Sequence, residues 1–269
     1  QANEGITEAS GLSGLARRVA AQGVTLSAIG VGLDFNELVL ESLAEHGGGG
    51  YHFLADVGQL AGIFARELDQ AVSTVAIGPS ITLAPQPGVR VAEVYGYLSE
   101  PQGAATVVRL PDFVSGQSRK VVVRLLVSAG AEGPLDLAQL SLAYLDVHRG
   151  RAPGSAAVAV KAVVTSDGAL AAGKRDRDVS ASAAQAGAIQ ALRRAGVSFS
   201  QGNRDDAAAS LEQAKRKLRQ AEADFGPSQD FTQALGEAKA FEQSLDAPAG
   251  SAERSKAAKR LHSFSNTAR

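Results

Sequence analysis

The sequence contains no cysteine, which excludes disulfides, thiolate metal sites and cysteine nucleophiles together. Oxidising and reducing compartments both suit such a chain, so this absence leaves its location open. Methionine is absent too, and Gln1 is no translational start; the sequence is therefore expected to be a fragment or processed product of a longer protein. No apolar run approaches the ~20 residues that cross a bilayer, so no transmembrane helix is expected. Acidic and basic residues nearly cancel, to a net charge of -1, which removes any global electrostatic case for nucleic acid or an anionic membrane. Histidine is scarce: His46, His52, His148 and His262 are scattered without ligand spacing.

What is present suffices for real cores. A chain of 269 residues, 45% hydrophobic and 20% charged, can hold two or three domains. Its grammar changes twice. Residues 1–76 alternate helical and strand patterns. Leu12, Leu15, Ala16 and Val19 share one helix face. "GVTLSAIGVG" reads as a strand buried in a parallel sheet, and Asp34 or Asn36 can cap a helix carrying Phe35, Leu38, Val39 and Leu43. The glycine run of "HGGGGYHFLAD" leads into a strand at about 51–55. A third helix follows, with Leu60, Ile63, Phe64, Leu68 and Val72 along one side. This is a partial α/β doubly wound segment; two strands are too few for an open sheet.

Residues 77–170 predict an antiparallel β-sandwich, with strands at 79–84, 88–99, 104–110, 118–128, 137–148 and 156–165. In "KVVVRLLVS" the alternation puts Val121, Val123, Leu125 and Val127 on one face, and in "AVAVKAVV" it groups Val158, Val160 and Val164 opposite Lys161. Residues 178–264 predict an α-helical hairpin or bundle. Its stripes are Ala188, Ala191, Leu192, Ala195 and Phe199; Ala207, Leu211, Ala214, Leu218 and Ala221; Phe231, Leu235, Ala238 and Leu245; and a weaker pair, Leu261 and Phe264. "QGNRDDAAASLEQAKRKL" has the small-residue pattern of a tetratricopeptide-like hairpin, a single unit. The tail "HSFSNTAR" is expected to fray.

Three stretches imitate sites. Asp178, Ser180 and Ser182 have the Asp-x-Ser-x-Ser spacing that can surround Mg²⁺, but the preceding "AAGKRDR" cannot form the buried strand such a loop needs. Asp178 or Ser180 is instead expected to cap an alanine-rich helix. His46 with Gly47–Gly50 suggests a phosphate cradle or an oxyanion loop; without a P-loop or a Gly-x-Ser-x-Gly elbow, a helix end closed by a left-handed glycine is the simpler reading. "GVGLD" marks a strand opening into a helix, and it lacks the third glycine of a dinucleotide fingerprint. The basic runs "KRDRD" and "KRKLR" read as solvated helix faces.

Residues 1–76 resemble the C-terminal half of a von Willebrand factor type A (VWA) domain. "QANEGIT", "TLSAIGVG", "DFNELVLESLA", "GGGYHF" and "LAGIFAREL" come in the family's order and spacing. The rest is similar to bacterial VWA proteins in which a β-sandwich and a helical segment follow that domain. The resemblance implies a non-enzymatic adhesion or protein-binding role for a protein or cell-surface ligand, in the cell envelope or outside the cytoplasm, with a cytoplasmic home as the alternative. It also implies Mg²⁺ in the intact domain, held by an Asp-x-Ser-x-Ser loop, a Thr and an Asp that all precede this sequence. No metal ligand is therefore expected here. Asn3 and Glu4 would lie at the rim of that site. The alternative function is an accessory subunit that recruits an ATPase or hydrolase.

Overall fold

The computed structural model describes residues 6, 8–22, 24–32, 35–54, 57–246 and 251–267. The fold is mixed, as the changing grammar requires: α/β elements, then antiparallel strands, then helices. Contacts divide the described residues into two units. One comprises those up to Ala28 with Leu38–Tyr51 and Gly58–Arg175; the other comprises Ile29–Glu37, His52–Val57 and those from Asp176 onward.

The α/β elements are α1 (Ala9–Ala21), β1 (Leu26–Val31), α2 (Glu37–Gly47), β2 (Gly48–Leu54) and α3 (Leu60–Ser73). Asn36 immediately precedes α2, whereas Asp34 lies outside the described residues. β1 and β2 form a two-stranded sheet and run in the same direction: Leu26 begins beside the glycines that open β2, and Gly32 N–H, just past the end of β1, donates to Leu54 O at 2.9 Å. The glycine run is not a flexible entry to the strand, because it builds it. Gly48 takes the left-handed conformation at φ 75° as α2 ends. At Gly49 a Cβ would lie 2.4 Å from Leu26 O, so only glycine lets the two backbones approach.

The face that α3 buries differs from its apolar stripe. Ile63 is buried, and Glu67 turns inward to accept a hydrogen bond from Ser27 Oγ on β1. Phe64, Leu68 and Val72, one to two turns apart, are 59%, 66% and 76% exposed. The expected burial of that stripe fails because a sheet of two strands offers too little surface to cover it. Leu15 on α1 and Leu38 on α2 are exposed for the same reason, while Ala16 and Ala44 are buried.

The antiparallel part comprises β3 (Thr74–Pro85), β4 (Val89–Val94), β5 (Ser99–Gln102), β6 (Ala105–Arg109), β7 (Phe113–Val114), β8 (Val123–Val127), β9 (Gly133–Asp146) and β10 (Ala152–Val164). Six of them form one sheet in the order β10-β9-β3-β6-β5, with β7 paired to β3; β4 and β8 form a second, two-stranded layer. The single expected strand at 88–99 is in fact β4 and the start of β5, separated by the turn at Gly96. Between the layers, Leu83, Tyr97, Val108 and Leu110 are buried, with Ile81, Val91, Val94, Val121, Val123 and Leu140 against them. Val127 is 41% exposed instead of joining that core, since the two-stranded layer is narrow. Asp112, in the β6–β7 connection, ties this core to the first strands. It accepts from Thr25 Oγ1 and from Gly78 N–H at 2.9 Å, and its own N–H reaches Gly48 O at 3.4 Å.

After the short α4 (Gly168–Gly173) come α5 (Arg177–Ser200), α6 (Arg204–Phe225), α7 (Gln229–Asp246) and α8 (Ser251–Thr267). α5 packs on α6 and α8, and α7 on α6 and α8, which closes a four-helix ring. Ala188, Ala191, Leu192, Ala195 and Phe199 are all 0% exposed, and the α6 stripe is equally enclosed. Phe199 meets Phe241 edge-on at 5.3 Å. The cap of α5 is Asp176, two residues before the expected Asp178: its Oδ1 accepts from Val179 N–H at 2.9 Å. α8 continues through Thr267, so the described part of the tail is helical where fraying was expected.

Candidate functional site

Open α/β sheets present their ligand crevice beyond the carboxyl ends of the strands. Here that place is formed by the ends of β1 and β2, the Phe35–Glu37 approach to α2, and one face of α8. Gly30 is glycine because the Phe35 ring lies over it: a Cβ there would stand 2.2 Å from Phe35 Cζ. The same ring tilts against Phe53 of β2 with centroids 6.1 Å apart. Phe35 thus fills the space into which the "GVGLD" pattern would have admitted a nucleotide; Leu33 and Asp34 of that pattern lie outside the described residues.

Above this ring sits Lys259 of α8. Its side chain is 1% exposed, and its Nζ lies 3.7 Å from the Phe35 centroid. The ammonium donates to Phe35 O and to Glu37 Oε2, each at 2.8 Å. A buried charge of this kind persists only when its partners replace the lost water, and here a carbonyl, a carboxylate and an aromatic face do so. The cluster holds the loop before α2 against α8; it brings no nucleophile and base together. Sequence reading missed it because "SKAAKRL" looks like a solvated helix face. Helical phase gave no signal either, since Lys259 lies about 100° around the axis from the buried Ala258 and about 160° from Leu261.

The residues singled out from sequence go elsewhere. His46 is buried between α1 and α2: Arg17 donates to its Nε2 at 2.7 Å, and its Nδ1–H donates to Ser42 O at 2.6 Å. Both ring nitrogens are therefore engaged in fastening two helices, which leaves neither for a metal. His52 lies in β2 and His148 in the 3₁₀ turn Val147–Arg149. Asp178, Ser180 and Ser182 lie in the first turns of α5, where Ser180 projects about 200° around the axis from Asp178. Ser180 Oγ donates instead to Asp176 O at 2.6 Å. Asp178 and Ser182, four apart, share a helix face while Ser180 points away, so the helix keeps the three from surrounding one ion. Asn3 and Glu4 lie outside the described residues.

The fit to Mg²⁺ fails among the described residues. Among the described residues no three His, Cys, Asp or Glu side chains come together as a metal-holding group. At the strand ends the group facing Glu37 is itself a cation, Lys259, the opposite of the oxygen-rich cage that Mg²⁺ requires. No step through the metal can be derived from this chain.

No family model matches the chain, and no curated protein matches it by sequence. Solved structures do match its fold. A von Willebrand factor type A protein from Catenulispora acidiphila is 17% identical with a TM-score of 0.62, over 87% of this chain and 55% of its own. The ArnB paralog VWA2 from Sulfolobus acidocaldarius is 17% identical with a TM-score of 0.53, over 91% of this chain and 59% of its own. The human COPII-coat protein Sec24c is 15% identical with a TM-score of 0.53, over 97% of this chain and 34% of its own. The chain spans less than two thirds of each of these structures. No described helix is long and apolar enough to cross a membrane. The likeness spans the α/β, β-sandwich and helical parts together, and the chain has the fold of the von Willebrand factor type A proteins.

Proposed function

We propose that this is a non-enzymatic interaction protein of the VWA type, binding a protein or cell-surface ligand in the cell envelope. In this reading, residues 1–76, 77–170 and 178–264 act as separate domains, the latter two as spacer and docking elements. The observation that carries it is the reach of the structural likeness, 87 to 97% of the chain, so the appended strands and helices follow the neighbours along with the α/β segment. A similar arrangement in a protein named as a coat component supports the reading by analogy of fold. The exposed stripe Phe64, Leu68 and Val72 supports it, because contiguous apolar surface marks sites of contact. Any dependence on Mg²⁺ then rests with residues outside this chain, with Asn3 and Glu4 at the rim.

The test uses the full-length protein and a partner recovered by cross-linking, then purified and titrated back. Saturable binding without turnover is the expected result. Loss of affinity on chelation with EDTA supports the metal-dependent form, and indifference to EDTA removes that part alone. Turnover of a small substrate with no stable complex overturns the interaction reading. A partner that is itself an ATPase or hydrolase turns it to the accessory-subunit alternative.

A further inference from the structure

β10 ends the six-stranded sheet: β9 pairs with it along one side, and no described strand pairs along the other. Exposed edges of this kind are commonly blunted by charge, proline or a bulge. Here proline and charge stand at the two ends of the strand. Pro153 lies at its start and Lys161 towards its finish, while the register shift after Val160 puts its extra residue, Leu137, in β9. The run 154–160 between them carries neither charge nor proline. Residues 155–159 are all exposed, Val158 to 59%. Strand hydrogen-bonding capacity and apolar side chains are therefore presented together.

We propose that β10 pairs with the β10 of a second copy, antiparallel about a two-fold axis at Val158. Charge selects this occupant. In that register 154 meets 162, 156 meets 160, and Lys161 stands opposite Ser155, so no like charges face each other. Lys161 already has its counter-charge on its own hairpin, Asp136 of β9 at 3.4 Å. A two-fold pair is also self-complementary, since one strand supplies both halves. Residues 154 to 162 span about 30 Å of paired strand. That is a small interface, which makes a reversible, concentration-dependent dimer. The inference does not depend on the function proposed above.

Sedimentation of the purified protein should give a monomer–dimer equilibrium in the micromolar range. Val158→Lys, which sets two ammonium groups across the axis, should weaken it about tenfold or more. Because the chain has no cysteine of its own, Val158→Cys reports the pairing without background. Mild oxidation should link it into dimers while leaving Val179→Cys, at the similarly exposed Val179 of α5, unlinked. A monomer throughout the micromolar range overturns the proposal, as does equal linking at both positions. So does protection from hydrogen exchange, in dilute monomer, of those β10 amides that face away from β9, which would mean that another part of its own polypeptide covers the edge.

Discussion

α3 and α5 both carry an apolar stripe at helical spacing, yet one stripe faces solvent and the other is enclosed. On α3, Phe64, Leu68 and Val72 are more than half exposed; on α5, Ala188 through Phe199 include five positions at 0%. The stripes are similar, and the surroundings differ. α5 has α6, α7 and α8 packed around it, whereas α3 is tied to β1 through the Ser27–Glu67 hydrogen bond and lies beside β7. Periodicity identifies which face is able to be buried; the number of layers decides whether it is.

The sharpest way to break this contrast is to remove a ring from each side. Phe199→Ala should cost about 3–5 kcal/mol in urea unfolding, and Phe64→Ala only about 0.5 kcal/mol or less. Equal costs would mean that the α3 stripe is covered in solution. Next in size is Lys259→Met, which keeps the packing on Phe35 but removes the ammonium that pairs with Glu37; a loss of about 3 kcal/mol is expected. Adding Glu37→Gln should restore part of it, and strictly additive losses would refute the pairing. Within the enclosed bundle, Gly196→Ala should be neutral or stabilise by up to about 1 kcal/mol, because the new methyl meets Ala258 O and Leu261 at an ordinary 3.5 Å.

The smallest effect concerns pH. Hydrogen bonds to Glu212 and then Glu242 raise the Lys215 pKa above 10.5, and the bond from Lys215 lowers that of Glu212 below 4.5. A raised lysine stabilises below its unfolded pKa and ceases to do so as pH climbs through the folded one. A lowered glutamate stabilises above its unfolded pKa and ceases to do so as pH falls through the folded one. Thermal stability should therefore be level across neutral pH, with a contribution lost at each extreme. Glu212 is half exposed, so solvent screening keeps each loss to about 1 kcal/mol or less. Lys215→Met should flatten both ends; an unchanged profile would discount the pair.

The four helices were readable in the sequence because their pattern and their packing partners lie in the same stretch of chain. The sandwich was readable as strands, while its unequal layers were not, since alternation marks a face and carries no count of neighbours. Asp176 escaped notice because Asp178, two residues on, offers the same cap chemistry. At the strand ends, Gly30 and Gly32 were visible as turn glycines, but the ring that fills the space was not. The Lys259 contact spans 222 positions, a distance over which no local pattern carries information.

That span has a consequence for biosynthesis. Phe35 leaves the ribosome before Lys259, and the ammonium that satisfies its carbonyl arrives only after every intervening residue has been translated. The loop before α2 must therefore wait for its final anchor, and a chain broken off anywhere ahead of position 259 would never acquire it.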